Sequence, residues 1–393
     1  MDALELLEII STGETSKVQF KESISSSDAL AAEFVAMSNS LGGLILIGIK
    51  DKTGEIIGLD YKKIQETGQL ASNVATNNII PLIYIETEVV PIEISGEKKN
   101  ILIVHVKEGV SKPYKDRELR IWIKQGADKR KVTDNNELLR LFQSGGNLYA
   151  DEMEIPNTSI EDIDMGKVRE YSAKVFEKSF EEIDVNIEQI VNNISVARNN
   201  RLTLGGLLYF AKYPQKYKPV FCIKAVSFFG NDIEGTDYRD SKDLAGTIPD
   251  LFDKGMSFFT SNLKGSQQGQ DFNTLGRLEI SKIALEELLQ NALVHRDYLK
   301  NSPIRLMIFD NRVEIISPGT LPNNLTVENI KSGNAVVRNN LLASYCVNTM
   351  PYRGFGSGIK RALKEQPNTE LINDIEGEQF IVKIPRPVAE LGK

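Results

Sequence analysis

The chain has 393 residues, 41% hydrophobic and 26% charged, with a formal net charge of −7. That length exceeds one ordinary core and implies two or three domains, while the acidic balance excludes a protein that coats nucleic acid through bulk charge. No apolar run approaches the ~18 residues of a membrane span, and the acidic opening MDALELLEII is no export signal. Cys222 and Cys346 lie far apart among apolar neighbours, and with only His105 and His295 beside them they offer neither a disulfide framework nor a zinc site. A cytoplasmic protein with no membrane partner is expected.

In chain order, a short helical opening leads to VQFKES, read as a strand, and to DALAAEFVAMSNS, read as an amphipathic helix. LGGLILIGIKDKTGEIIGLD then combines a Gly-Gly turn, an apolar strand, a turn at Lys52-Thr53-Gly54 and a second short strand. IETEVVPIEI and NILIVHVKEG alternate as paired strands, and ELRIWIKQGADKRKVT reads as an edge strand carrying basic residues. The class is α+β, with a mixed sheet and helices. Lys112 to Lys131 holds eight Lys/Arg against three Asp/Glu, a local +5, whereas 151–190 holds twelve acidic and four basic residues. Each run has a plain reading as a solvated face, and Trp122 has one as core.

The series GETSKVQFKES, a helix, SLGGLILIGIKDKTGEIIGLD and KPYKDRELRIWIKQGADKRKVT resembles the Schlafen AlbA-type domain over nearly all of residues 1–145. In nuclease members of that family three carboxylates form a metal-dependent RNase site. The resemblance places Glu14 at the first, Gln19 at the second, and Lys50 or Asp51 at the third. A neutral amide holds a hard cation poorly and an ammonium repels it, so Glu14 and Asp51 are the residual nuclease pair and binding is expected in preference to cutting. The expected partner is nucleic acid, DNA before RNA. Its phosphates would meet Lys21, Lys112, Arg117, Arg120, Lys124, Lys129, Arg130 and Lys131, with Tyr114 or Trp122 stacking on a base.

Residues 146–275 read as a connecting region. QSGGNLYADEMEIPNTS marks a boundary, IEDIDMGKVREYSAKVFEKSF and NIEQIVNNISVARNN read as helices, and LTLGGLLYFAKYPQKYKP reads as a buried helix ending at a turn. VFCIKAVSFFG is a strand, and GSQQGQD is a polar, Gly-rich loop.

Residues 276–393 read as a third module. ISKIALEELLQNALVHRDY is a strongly periodic helix on which Glu287, Asn291 and His295, spaced by four, share one side. A strand pair, PIRLMIFDNRVEIISPG, is followed by the turn LPNNLT, a short helix near VENIKSG, the segment RNNLLASYC, the Gly-rich loop RGFGSGIKRALKEQ, and the hairpin EGEQFIVKIP. Helices against one face of such a sheet make a two-layer α/β sandwich.

These motifs resemble the GHKL ATPases, and more closely the ATPase-like module attached to AlbA-type domains. The resemblance implies ATP and Mg as ligands, Glu287 as the base that activates water, and Asn291 as the magnesium ligand. Gly354, Gly356 and Gly358 match the glycine lid over the phosphates, and Ser317 and Gly319 stand at the adenine box. Ser317 replaces the aspartate that would accept the adenine amino proton, and a hydroxyl is a weaker acceptor than a carboxylate. The alternative is that Glu287 is a solvated helix residue and Asn291 a capping or packing residue. His295-Arg296-Asp297 is expected to be a helix-terminating polar cluster. The resulting expectation is a DNA-binding, transcriptional-regulator-like homo-oligomer with an ATP-sensing module. Its competitors are an ATP hydrolase, a metal-dependent RNase-like enzyme acting in defence against foreign nucleic acid, and a scaffold whose sites have decayed.

Overall fold

Strong alternation of apolar residues in the first 150 positions builds a sheet buried on both faces. The computed structural model describes residues 1–51, 53–94, 96–177, 186–235, 237–266, 277–322, 325–352, 354 and 356–387, which form two units, Met1–Leu148 and Tyr149–Lys393.

In the first unit, α1 (Ala3–Thr12) starts at a capping box made by Asp2 and Glu5. It is followed by β1 (Val18–Lys21), α2 (Ser27–Asn39), β2 (Gly43–Ile47), α3 (Tyr61–Asn77), β3 (Ile85–Ile94) and β4 (Glu97–Val106). The strands form one sheet in the order β1-β2-β4-β3, with β1 parallel to β2 and the other pairs antiparallel. Because side chains alternate, Ile45, Ile47, Leu102 and Val104 pack with Phe34 of α2 and Val74 of α3, while Phe20, Leu46, Ile101 and Ile103 pack with Leu6 of α1. The helix expected to be amphipathic is buried over ten consecutive residues, Leu30 to Asn39, including Glu33.

The basic stretch departs from its expected form. It is not an edge strand of the main sheet but a separate hairpin, β5 (Trp122–Gln125) with β6 (Asp128–Lys131), that packs on α2. Two side chains attach it: Asn39 Nδ2 donates to the carbonyls of Tyr114 and Trp122, each at 2.9 Å, and the Ser40 hydroxyl accepts from the Lys124 N–H at 2.9 Å. The second short strand expected after Gly54 is reduced to an isolated bridge between Ile49 and Ile56. α4 (Asn135–Ser144) closes this unit.

The second unit joins what the sequence reads as two segments. After α5 (Met165–Phe176), α6 (Ile187–Asn193), α7 (Leu204–Phe210) and α8 (Pro214–Tyr217) come β7 (Ile223–Phe228), β8 (Tyr238–Leu244) and α9 (Ile248–Asn262). Then follow α10 (Lys282–His295), β9 (Ile304–Ile308), β10 (Arg312–Pro318), α11 (Val327–Lys331), α12 (Asn340–Thr349), α13 (Ser357–Glu365), β11 (Glu370–Asp374) and β12 (Gln379–Pro385). The sheet order is β8-β7-β9-β10-β12-β11, parallel only between β7 and β9. It therefore crosses the boundary drawn at 275/276, because Ile223 and Ala225 need Ile304 and Leu306 beside them to complete one apolar face. Leu251 and Phe259 of α9 and Leu285, Leu288 and Leu289 of α10 cover that face. Every residue of α7 is buried, as its sequence predicts. The polar loop read at GSQQGQD falls, from 267 on, outside the described residues.

One buried charge has a measurable consequence. Asp151 is fully buried and caps α12 by accepting the Leu342 N–H at 3.0 Å, and burial raises its carboxyl from 3.8 to about 6. A folded-state value above the unfolded one stabilises the fold below the unfolded value, and that stabilisation is lost as pH rises through 6. Asp151→Asn keeps an oxygen for Leu342 and removes the titration. Its stability relative to wild type, from urea denaturation, is expected to improve by about 2 kcal/mol between about pH 4.5 and about pH 8. Parallel pH profiles for the two proteins would refute this.

Candidate functional site

α10 is apolar along the sheet and polar along the opposite stripe, so its packing decides what Glu287 and Asn291 face. Against that stripe lies α13, whose first turn starts at Gly356, in a left-handed conformation with φ 67°. Between α10, β10, β12 and α13 opens a cleft enclosing about 1010 Å³, open to solvent. Glu287, Asn291, Ser317, Gly319, Gly354, Gly356 and Gly358 all line it, so every position matched to the ATPase resemblance converges there. Ile315, Ile330 and Val382 make one apolar wall of it.

The polar groups are arranged as follows. Asn291 Nδ2 donates to the Glu287 carbonyl at 2.6 Å, which leaves Oδ1 as its other polar end. Glu287 is buried, and its carboxylate is held by Arg361, whose Nε donates to Oε1 at 2.7 Å and whose Nη2 bonds the same oxygen. Arg361 Nη1 donates to Ser357 Oγ at 2.7 Å. Glu287 is thus not a solvated helix residue but one half of an ion pair in the cleft. Ser317, which the resemblance matches to the adenine box, donates its hydroxyl to the Ala292 carbonyl at 3.1 Å, tying β10 to α10.

The three lid glycines have separate structural reasons. A Cβ on Gly356 would fall 2.2 Å from the Gly333 carbonyl oxygen, and one on Gly358 would fall 2.5 Å from Glu287 Oε2. Gly354 turns the chain at φ 69° with only Val347 Cγ2 close, at 3.2 Å.

His295 Nε2 lies 3.0 Å from the Tyr352 hydroxyl, and both line the cleft. Burial, with Arg338 nearby, lowers the His295 imidazole to about 4, and burial pushes the Tyr352 phenol up to about 12, so both are neutral at physiological pH. Arg296 donates to the Lys300 carbonyl at 3.0 Å and stacks over Phe221, and the Asp297 carboxylate accepts from the Leu299 N–H at 2.9 Å. These two residues terminate α10, as the sequence reading has it.

In the first unit Glu14 and Asp51, the pair expected for a residual nuclease site, are engaged with other partners. Glu14 Oε1 accepts from Gln19 Nε2 and, at 2.9 Å, from the Phe20 N–H, while Asp51 is paired with Lys21 at 2.7 Å. Lys50 pairs with Glu55 at 3.4 Å. Gln19 Oε1 accepts from Lys124 Nζ at 2.9 Å, and that ammonium, with its side chain 1% exposed, lies 3.6 Å from Glu33. Burial lowers the Lys124 value, and Glu33 works against that shift. Among the described residues, no three His, Cys, Asp or Glu side chains are grouped as a metal site.

Most of the expected phosphate-binding cations likewise have internal partners. Lys112 is buried against Glu108 and the Ser40 carbonyl, and Lys129 pairs with Glu33 at 2.7 Å. Arg130 makes a two-pronged pair with Glu137, and Arg120 bonds Asp116 at 2.7 Å. Arg117 reaches the Asn77 carbonyl at 3.3 Å, and Lys131 lies 5.4 Å over the Trp122 ring. Arg117, Arg130 and Lys131 are exposed. Trp122 is half-buried and donates to Asp116 at 2.8 Å, and Tyr114 is buried, so neither presents an open ring for stacking. The sequence reading missed Arg361 and Glu33. A lone glutamate inside DALAAEFVAMSN and an arginine four residues after Ser357 are the visible signals for them.

Two segments of the chain, one in each unit, match family models. Residues 14–133 match the family model described as Schlafen, AlbA_2. Residues 301–382 match HATPase_c_4, described as "Putative ATP-dependent DNA helicase recG C-terminal". The second match takes in Ser317, Gly319, Gly354, Gly356 and Gly358 but begins after α10, so Glu287 and Asn291 lie outside it. Both domains tie the chain to nucleic-acid-related, ATP-binding proteins. A solved structure, the DIP2311 protein from Corynebacterium diphtheriae, is similar at 20% identity and a TM-score of 0.47, covering 98% of this chain and 80% of that one. None of the curated proteins matches the chain. No helix among the described residues is long and apolar enough to cross a membrane.

Proposed function

We propose that the chain is a DNA-binding regulator whose C-terminal cleft takes up an adenine nucleotide as an effector. The observation that carries this reading is the convergence of Glu287, Asn291, Ser317 and the three lid glycines on one cleft with an apolar wall. The base would lie against Ile315 and Val382, with the Ser317 oxygen as a weak acceptor. Phosphates would meet the N–H groups at the start of α13, where the helix dipole favours an anion. Asn291 Oδ1 would hold the accompanying magnesium. The first domain would contact the DNA backbone through Arg117, Arg130 and Lys131, the expected cations that remain exposed. Binding is favoured over cutting there because Gln19 and Lys124 stand among the carboxylates where a metal would need anionic oxygens.

Calorimetric titration with Mg-ATP is expected to show one saturable site per chain. Electrophoretic shift of duplex DNA is expected to weaken steeply with salt, and the salt slope should fall by about 1 per cation removed from the Arg117, Arg130 and Lys131 set. A flat salt response, or no heat with nucleotide, would remove the corresponding half of this reading.

A further inference from the structure

Resting on that reading of the cleft, we propose that Arg361 recognises the terminal phosphates of the nucleotide and, until they arrive, holds Glu287 latched. Arg361 and Glu287 both line the cleft, their side chains 28% and 10% exposed. The guanidinium spends Nε and Nη2 on Glu287 Oε1 and Nη1 on Ser357 Oγ. Its planar fork fits phosphate as well as carboxylate, and a polyphosphate offers more charge than one glutamate. The existing pair borders an open cleft, so an incoming anion can reach the guanidinium.

Position supports the exchange. Ser357, Gly358 and Arg361 occupy one face of α13, toward α10, and the left-handed Gly354 and Gly356 precede them, so phosphates at the helix start lie within a turn of the guanidinium. Gly358, lacking a Cβ, lets Glu287 Oε2 approach to 2.5 Å from the position that atom would take. The carboxylate therefore sits in a slot with Arg361 on one oxygen and the Gly358 backbone beside the other. When Arg361 turns to phosphate, Oε1 loses its donors and the Glu287 carboxylate stands free in the cleft. The arginine thus couples the number of phosphates on the ligand to the availability of the Glu287 carboxylate.

The test is calorimetric titration of the full chain with AMP, ADP and ATP, each with magnesium. Wild type should bind ATP more tightly than AMP. In Arg361→Ala the ATP-to-AMP affinity ratio should fall about 10-fold or more, as for loss of a charged hydrogen bond, and Arg361→Lys should retain part of it. Glu287→Gln, which releases the arginine, should raise the ratio. Melting curves verify that each variant is folded, and Arg361→Lys serves if the alanine variant is not. An unchanged ratio in Arg361→Ala or Arg361→Lys, or no rise in Glu287→Gln, overturns the latch while the cleft reading stands. Absence of nucleotide binding by wild type overturns both.

Discussion

Glu33→Ala is expected to lower the stability of the first unit by about 3 to 5 kcal/mol, the usual cost of stranding a buried charge. Glu33 is buried in α2 and is the acidic partner of both Lys124 and Lys129. Without it the Lys124 ammonium retains only neutral acceptors, Gln19 Oε1 and the Ala127 carbonyl. The ammonium relieves the strain by losing its proton, so its value falls further below the ordinary lysine range. With the folded value below the unfolded one, the unfolded chain binds more protons, and the deficit should shrink as pH rises. Trp122 is the sole tryptophan and sits in the hairpin that this network fastens to α2, so its fluorescence during urea denaturation reads the relevant transition. Adding Lys124→Met should recover part of the loss, since the remaining uncompensated ammonium is then gone. A Glu33→Ala midpoint equal to wild type would show that the network contributes nothing.

Gly356→Ala is expected to cost about 2 to 4 kcal/mol in the second unit and to weaken nucleotide binding at least about 10-fold. Two effects add. A left-handed conformation disfavours any side chain by roughly 1 kcal/mol, and here the new methyl would also meet the Gly333 carbonyl oxygen at 2.2 Å. Backbone cannot swing aside as a side-chain tip can, so α13 must move, carrying Ser357 and Arg361 away from α10. Gly354→Ala is the internal comparison. Its conformation is equally left-handed at φ 69°, yet its nearest neighbour is a methyl of Val347 at 3.2 Å, so it should lose only about 1 kcal/mol. Equal effects at the two glycines, by melting and calorimetry, would refute the backbone clash as the cause.

The sheet strands, the buried α7 and the periodic α10 were legible because apolar spacing and turn residues are local signals. The convergence of α10, the adenine-box segment and the glycine lid was legible only through resemblance, since nothing local brings residues 287, 317 and 356 together. The charged residues were the least legible. The Lys112–Lys131 run reads as a phosphate-binding strip, but a charge count cannot see that Glu33, Asp116 and Glu137 lie within reach of its members. By itself the sequence determined three segments and most of their helix and strand elements, and through the resemblance an interrupted carboxylate set at Gln19 and Lys50. Only the tertiary structure decided that the basic stretch is a hairpin fastened to α2, that β7 and β8 extend the sheet of the C-terminal module, and that Arg361 holds Glu287. Strand order and ion pairing join residues distant in the chain, and such contacts depend on how each chain folds back on itself, which composition and spacing do not encode.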